Sequence, residues 1–386
     1  MERKFIETEL GRIPSDWIVT TIKDAGTAIT DGINPRKYRE SEFCEYSMPA
    51  YDCGMSPNIC KGSSMNSNRT KISGEVLLFN KLNVRQRRVW YVENAPANSV
   101  CSMEFLAYKS NVICLPLLRE ILLQDKVTND FISVSRGTSN SQKRIAPSDF
   151  WNYKVAVPAD IKEQQRIASC LSSINEMISK LTESIEKKQL IKEGLMQELL
   201  TGKKRLEGFH ENWVDVQLGS ILSYEQPTKY IVDSTDYAES GIPVLTAGKS
   251  FILGYTNEKT GIYDNVPVII FDDFVTESKY VSFSFKAKSS AMKMLSLRDK
   301  KLHNLRFIYD VMQLIDFPMT DHKRYWISEY SKIYINIPSS LEEENAIERI
   351  MSQIDSEISL IKAEREKYLL IKQGMMQQQL TGKTRL

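Results

Sequence analysis

The sequence predicts an α+β chain in which two mixed α/β globular domains are separated by two long antiparallel helices, a coiled-coil spacer. The whole reads as a pseudo-twofold internal repeat with circular organisation. Three observations carry this. The string "TGKKRL" at 201–206 returns as "TGKTRL" at 381–386. The ungapped alignment behind it runs back to Pro158 and Pro338, with about two positions in five identical. Fainter correspondences link the segments between those stretches, beginning with Trp17 and Trp213.

At 386 residues, 42% of them hydrophobic, the chain can build more than one core, since a domain usually takes ~100–200 residues. The formal net charge of +2 gives no global basic field, so any nucleic-acid contact must come from local patches or added subunits. No apolar run approaches the ~18 residues of a membrane span, and "MERKFIETEL" lacks the apolar centre of a signal peptide. A cytoplasmic protein without a membrane partner is expected. Cys44, Cys53, Cys60, Cys101, Cys114 and Cys170 show no zinc-ribbon spacing, and His210, His303 and His322 are scattered. Neither a metal site nor a disulfide framework is expected.

The elements follow in order. The first domain, 1–157, opens on "IPSDW", carries the β-like runs "EVLLFNKLN" and "VRQRRVWYVE", and closes on "SQKRIAPSDFWNYKVAVP". The first spacer, 158–206, places Ile167, Leu171, Ile174, Ile178, Leu181 and Ile185 at steps of four and three, the alternation of a coiled-coil seam. The second domain, 207–337, answers "NPRKY" with "QPTKY" and "PAYDCGMS" with "PVLTAGKS". It has β-like runs in "VPVIIFDDF" and "KYVSFSFKAK", and sets Lys323–Arg324 in register with Lys143–Arg144. The second spacer, 338–386, repeats the seam with Ile347, Met351, Ile354, Ile358 and Ile361.

A helix of ~40 residues at 1.5 Å each is ~60 Å long. With polar residues on its other faces, neither helix is stable alone. Ile174, Ile178, Leu181 and Ile185 are therefore expected to pack with Ile354, Ile358 and Ile361. Prolines precede both helices, and Gly202 and Gly382 suit the position just past a helix end. Gly194 and Gly374 match inside the helical patterns, where glycine costs ~1 kcal/mol against alanine. Close backbone packing or a partner contact is expected there. After "TGKKRL" the chain continues "EGFHENW"; after "TGKTRL" the N-terminal "TELGRIPSDW" reads as the missing continuation. The C-terminus is thus expected beside the N-terminus, with the two domains inverted relative to each other.

Catalytic readings fail on spacing. Gly-Lys-Thr at 382–384 imitates the close of a phosphate loop, but Gln377 and Gln197 stand where its first glycine belongs, and both strings end helices rather than begin them. "NPRKY" lacks the second proline and aromatic of an adenine-methylation motif. Asp272 and Asp273 of "FDDF" have no third ligand cluster beside them, so a structural or interface role is expected. Two similar, unequal heads on a helical ruler suit duplex DNA, where inverted modules read two half-sites.

The layout, the spaced helical repeats, the "LTGKxRL" endings and the "IPxxW" opening resemble the specificity subunit of type I restriction–modification enzymes over the whole chain. The second domain is similar to recognition domains of the IC branch through "YEQPTKY", "IPVLTAGKSFILGYT", "IIFDDF", "FKAKSSAMKM" and "DHKRYWIS". The resemblance implies a non-catalytic subunit whose two target recognition domains each read one half of a bipartite, adenine-containing site in double-stranded DNA. It implies helices that set the gap and dock two modification subunits, which carry S-adenosylmethionine, and restriction subunits that use ATP and Mg. A non-DNA two-headed scaffold is the rival reading, and a self-sufficient enzyme the weaker one.

Arginine and lysine suit guanine, asparagine and glutamine suit adenine, and the same types with serine and threonine hold phosphates. The first-domain candidates are Ser139, Asn140, Gln142, Lys143 and Arg144, then Arg85, Arg87 and Arg88, then Asn34, Arg36 and Lys37. Those of the second domain are Gln226, Thr228, Lys229, Lys249, His322, Lys323, Arg324 and Tyr325. Trp326 is expected in the core.

Overall fold

The computed structural model describes residues 4–137, 139, 141–248, 250–318 and 324–380. It divides into two compact units, Met1–Lys180 with Arg365–Leu386, and Leu181–Glu364. Each unit is one head domain, the near part of the helix leaving it, and the far part of the helix arriving from the other head. The spacer helices are Ile161–Leu199 and Leu341–Gln379, 39 residues each.

In the first unit, strand Trp17–Thr21 pairs antiparallel with Lys154–Pro158, which leads into the first spacer helix. The main sheet runs Gly26–Ile29, Phe105–Ser110, Arg69–Asn80, Val89–Ser102, Glu42–Tyr46, Asn58–Lys61, with Gly32–Ile33 on the start of Arg69–Asn80. All its pairings are antiparallel except Glu42–Tyr46 on Val89–Ser102. Period-two alternation divides the side chains of strand Arg69–Asn80. Leu77 and Phe79 enter a core with helices Leu115–Leu122 and Asp125–Val134 and the spacer residues Ile167, Ala168 and Leu171. Val76 and Leu78 enter a distal core with Trp90, Cys101 and Phe105. Met375, Met376 and Leu380 of the arriving helix pack on the first of these cores.

The second unit repeats the plan. Val214–Gln217 pairs with Tyr334–Ile337. A four-stranded sheet runs Leu222–Glu225, Met292–Leu297, Val268–Asp272, Ser278–Val281. Ile269 and Phe271 face the spacer-side core, which includes Leu199, Leu200, Ile347 and Met351, while Val268 and Ile270 face the distal one. Leu195 and Met196 pack on the spacer-side core as Met375 and Met376 do on that of the first unit. Trp326 lies in this core, as expected, at 2% exposure.

One correspondence read from the sequence is corrected. "PAYDCGMS" does not fold like "PVLTAGKS": Ser47 caps a short helix, Met48–Asp52, with proline in its first turn, whereas Ile242–Leu245 is a strand. The structural counterpart of Ile242–Leu245 is Glu42–Tyr46, since each makes the parallel pairing of its head. "NPRKY" and "QPTKY" do match, as 3-10 turns Pro35–Tyr38 and Pro227–Tyr230.

The seam residues are covered: Ile185 and Ile358 are buried, and Ile174, Ile178, Leu181, Ile354 and Ile361 are half-buried. Within the second unit Lys188 pairs with Glu357, and Lys192 with Asp355 at 2.5 Å. Numbers rise along one helix as they fall along the other, so the helices are antiparallel there.

The duplicated ending has a physical explanation in this unit. Gly202 takes φ +69°, and a Cβ on it would lie 3.1 Å from the Trp213 ring. The chain thereby turns Arg205 toward Glu343, which is 1% exposed. Arg205 donates from Nε and Nη2 to the two Glu343 oxygens at 2.6 and 2.7 Å, and Trp213 Nε1 donates to the same carboxylate at 3.3 Å. The end of one helix, the start of the other and the opening strand of the head meet at one buried charge. Glu163, the repeat counterpart of Glu343, is likewise buried in the first unit; Arg385, the counterpart of Arg205, lies outside the described residues.

The next position is a second clamp. Gln164 accepts from the backbone N–H of Cys114 at 2.8 Å, and Glu344 from that of Asn304 at 2.6 Å. Cys114 and Asn304 are the N-caps of the equivalent head helices Leu115–Leu122 and Leu305–Met312. In the second unit Arg306 then joins head to spacer, donating to Asp310 at 3.2 Å and to Asp355 at 2.5 Å. Burial pushes the Asp310 carboxyl up to about 6, against the downward pull of Arg306.

Two outcomes are expected. Arg205→Ala leaves the buried Glu343 carboxylate without its ion partner, and equilibrium denaturation should show a loss of about 3–5 kcal/mol. Because Asp310 holds its proton more tightly folded than unfolded, its contribution to stability is full below pH ~4 and falls as pH rises through about 6. Thermal melts from pH 4 to 7 should therefore decline less steeply in Asp310→Asn.

Candidate nucleic-acid interface

In the first head two predicted groups come together. Strand Arg69–Asn80 ends where Asn80 turns its side-chain oxygen to the Leu82 N–H at 3.0 Å. The chain then makes a tight excursion with Asn83 and Arg87 in the left-handed region, at φ +51° and +49°, conformations that cost non-glycine residues of order 1–3 kcal/mol and gather at functional sites. Residues 143–145 are stitched to it: Asn83 N–H donates to the Lys143 carbonyl at 2.8 Å and Ile145 N–H to that of Lys81 at 3.1 Å. Arg136 and Arg144 exchange both backbone hydrogen bonds at 2.8 Å. Ser139, Gln142 and Arg85 are exposed and Lys143 is half-buried. Asn140 lies outside the described residues.

The arginines here are engaged. Arg87 donates to Asp125 at 2.5 Å. Arg88 grips Asp52 through Nε and Nη2, both at 2.7 Å. Arg144 grips Glu104 in the same way, with Nη2 at 3.0 Å. These carboxylates were not read from the sequence; Glu104 stands 40 positions from Arg144, and only strand pairing brings them together.

Asn34, Arg36 and Lys37 occupy a different place. They follow Gly32–Ile33, which pairs with the start of strand Arg69–Asn80, whereas the other two groups sit at its end. Asn34 caps the 3-10 turn by accepting from the Arg36 N–H at 3.1 Å, and Arg36 donates to Asn66 at 2.6 Å. Lys37 is exposed.

In the second head the register brings the candidates to one end of the sheet. Glu225 lies beside Met294, and Asp272 beside Met292. Gln226, Thr228 and Lys229 thus leave the sheet at the edge where Asp272 and Asp273 do. Asp272 accepts from the Phe274 and Val275 N–H groups at 2.8 and 3.2 Å, forming the turn between two strands. Asp273, 1% exposed, pairs with buried Lys293 at 3.0 Å and accepts from the Trp326 N–H at 2.9 Å. Its carbonyl takes the Tyr325 N–H at 2.9 Å. Asp273 thus fixes the backbone just after Arg324, which is exposed.

Tyr325 is corrected. It is fully buried and its ring packs edge-on to Phe317 at 5.2 Å, so it cannot face DNA in this conformation. The chain turns inward immediately after Arg324, which "HKRY" does not reveal. Lys249, His322 and Lys323 lie outside the described residues.

The helices carry a duplicated surface. In "LIKEG" and "LIKQG", Leu190 and Ile191 are 67% and 54% exposed, and Leu370 and Ile371 are 69% and 39% exposed. A Cβ on Gly194 or Gly374 would meet nothing within 4 Å, so of the two expectations for these glycines, close packing within the chain is overturned. Each unit also has a groove beside this surface. One of about 430 Å³ is lined by Leu369, Lys372, Gln373 and Met376. The other, of about 480 Å³, is lined by their repeat counterparts Gln189, Lys192, Glu193 and Met196.

No family model matches the chain. It is 47% identical over 176 residues to the type I restriction enzyme EcoR124I/EcoR124II specificity subunit of Escherichia coli, a match spanning 44% of this chain and 43% of that subunit's length. It is 23% identical over 429 aligned positions to the MjaX specificity subunit assigned to a type I restriction enzyme of Methanocaldococcus jannaschii, covering 100% and 97% of the two chains. The fold is that of the type I restriction–modification S subunit from M. genitalium, with a TM-score of 0.67 at 14% identity over 99% of both chains. A chain from a type I system, in a structure concerned with complex assembly and conformational transition, covers 96% of this chain and 99% of its own at a TM-score of 0.55 and 16% identity. None of these comparisons names a branch of the family.

Proposed function

We propose that this chain, whose fold is that of type I restriction–modification specificity subunits, is the non-catalytic, sequence-reading subunit of such an enzyme. Each head reads one half of a bipartite, adenine-containing site in double-stranded DNA, and the helices fix the gap. The observation that carries this is the doubling itself. The same head-and-helix unit is built twice, and each head holds exposed polar and basic groups at the end of its main sheet. In the first head these are Arg85, Gln142 and Arg144, and in the second Thr228, Lys229 and Arg324. A near-neutral chain suits this role when contacts are local and partner subunits add charge.

The duplicated Leu-Ile-Lys-x-Gly surface suits one partner bound twice. Exposed apolar side chains beside a glycine let a partner helix approach closely. We assign it to two modification subunits, which would bring S-adenosylmethionine and methylate adenine; restriction subunits using ATP and Mg would join that assembly. The likeness of the second domain to the IC branch is part of the same proposal.

Co-expression with the modification subunit of its own system, followed by methylome sequencing, should reveal a split motif. Arg324→Ala should weaken one half-site only, by about 1–3 kcal/mol if it contacts a base. Equal loss at both halves would remove that assignment. Matched heptads inserted in both helices should lengthen the gap and leave the half-sites unchanged; an unaltered gap sinks the ruler. Changing Leu190 and Ile191 to Ser should leave one modification subunit per chain by native mass spectrometry. A two-headed scaffold instead predicts no salt-dependent duplex affinity in the assembled complex.

A further inference from the structure

We infer that Arg144, gripped by Glu104, reads a guanine in the half-site of the first domain, and that Glu104 is the positioning residue for this contact. The inference rests on the DNA-reading function proposed above and adds a base and a residue to it.

The guanidinium has two edges that can make paired hydrogen bonds. Glu104 occupies the side edge: Nε lies 3.3 and 3.2 Å from its two oxygens, and Nη2 lies 3.0 Å from Oε1. The end edge, with Nη1 and the outer hydrogen of Nη2, remains. Nη1 approaches the Gln142 carbonyl at 3.4 Å, beyond the usual range of such bonds. The backbone of Arg144 is held on both sides by Arg136, and the preceding residue is held by Asn83. Backbone and side chain are therefore both fixed before DNA arrives, while the side chain stays 48% exposed.

Chemistry selects the target. Two parallel N–H donors match two acceptors on one base edge. In the major groove guanine offers O6 and N7, whereas adenine places a donor at N6. A phosphate fits less well, because Glu104 already neutralises the arginine and would set its own negative charge near the phosphate. The other gripped arginine of this region, Arg88, is only 15% exposed, and Arg87 meets a carboxylate that is itself 83% exposed. Arg144 alone of the three combines a two-atom grip with an open edge.

The test uses the chain assembled with its modification subunits and duplexes carrying the motif read from the methylome. Each guanine of the first half-site is replaced in turn by adenine or by 7-deazaguanine, which lacks the N7 acceptor. The wild-type complex should show one guanine at which 7-deazaguanine lowers affinity about 10-fold. Arg144→Ala should be insensitive there. Glu104→Gln should keep the wild-type salt dependence, having lost no phosphate contact, but discriminate guanine from adenine about 10-fold less well. The second half-site should be unaffected. The inference falls if no guanine responds to the 7-deaza change, if Arg144→Ala weakens every sequence alike with a shallower salt slope, or if Glu104→Gln discriminates like wild type. A wild-type complex without salt-dependent duplex affinity overturns the proposed function, and this inference with it. Normal affinity without a sensitive guanine overturns the inference alone.

Discussion

Glu343 is taken out of water with its charge, and the second unit is organised around that burial. Removing a carboxylate from solvent costs several kcal/mol unless its oxygens are well paired. Arg205 and Trp213 supply that pairing, and each must arrive from a fixed direction. Gly202 is needed because only a left-handed turn lets the chain leave the helix under the Trp213 ring. The string after the helix is therefore more than a stop signal. It is half of a bond whose other half lies 138 positions away, at the start of the second helix.

From that anchor the head is built outward by a sheet with two dry faces. Ile269 and Phe271 face the spacer, and Val268 and Ile270 face away; Leu77, Phe79, Val76 and Leu78 do the same in the first head. A strand buried on both sides cannot slip by one residue without exchanging its two cores. The segments leaving its end are held accordingly. Strain at Asn83 and Arg87 and the buried Asp273–Lys293 pair are tolerated because the sheet beneath fixes the backbone. Segments set on so firm a base give up adaptability and gain positional accuracy.

The arginines of the first head also bear on how a chain with a net charge of +2 would meet the duplex partner proposed for it. Arg87, Arg88 and Arg144 are each matched by a carboxylate. Such a surface attracts DNA weakly in general and rewards hydrogen-bond geometry in particular. That balance suits the discriminating role proposed above, in which partner subunits would supply further charge.

The sequence by itself determined the repeat and the two helices, because helical periodicity and capping residues are local signals written at steps of three and four. It also marked the strands through their β-like runs, and the segment around Arg144 through its mixture of small, polar and basic residues. It misplaced the counterpart of Ile242–Leu245, because a serine cap and a proline open a helix in one head where the other keeps a strand. It misjudged Tyr325, because a chain turning inward leaves no mark on residue type. Only the tertiary structure decided that Glu104 grips Arg144, that Asp273 fixes the backbone behind Arg324, and that Gly194 and Gly374 face open space. Those facts depend on which distant segments the sheets and helices bring within hydrogen-bonding distance, and no local pattern in the chain encodes that.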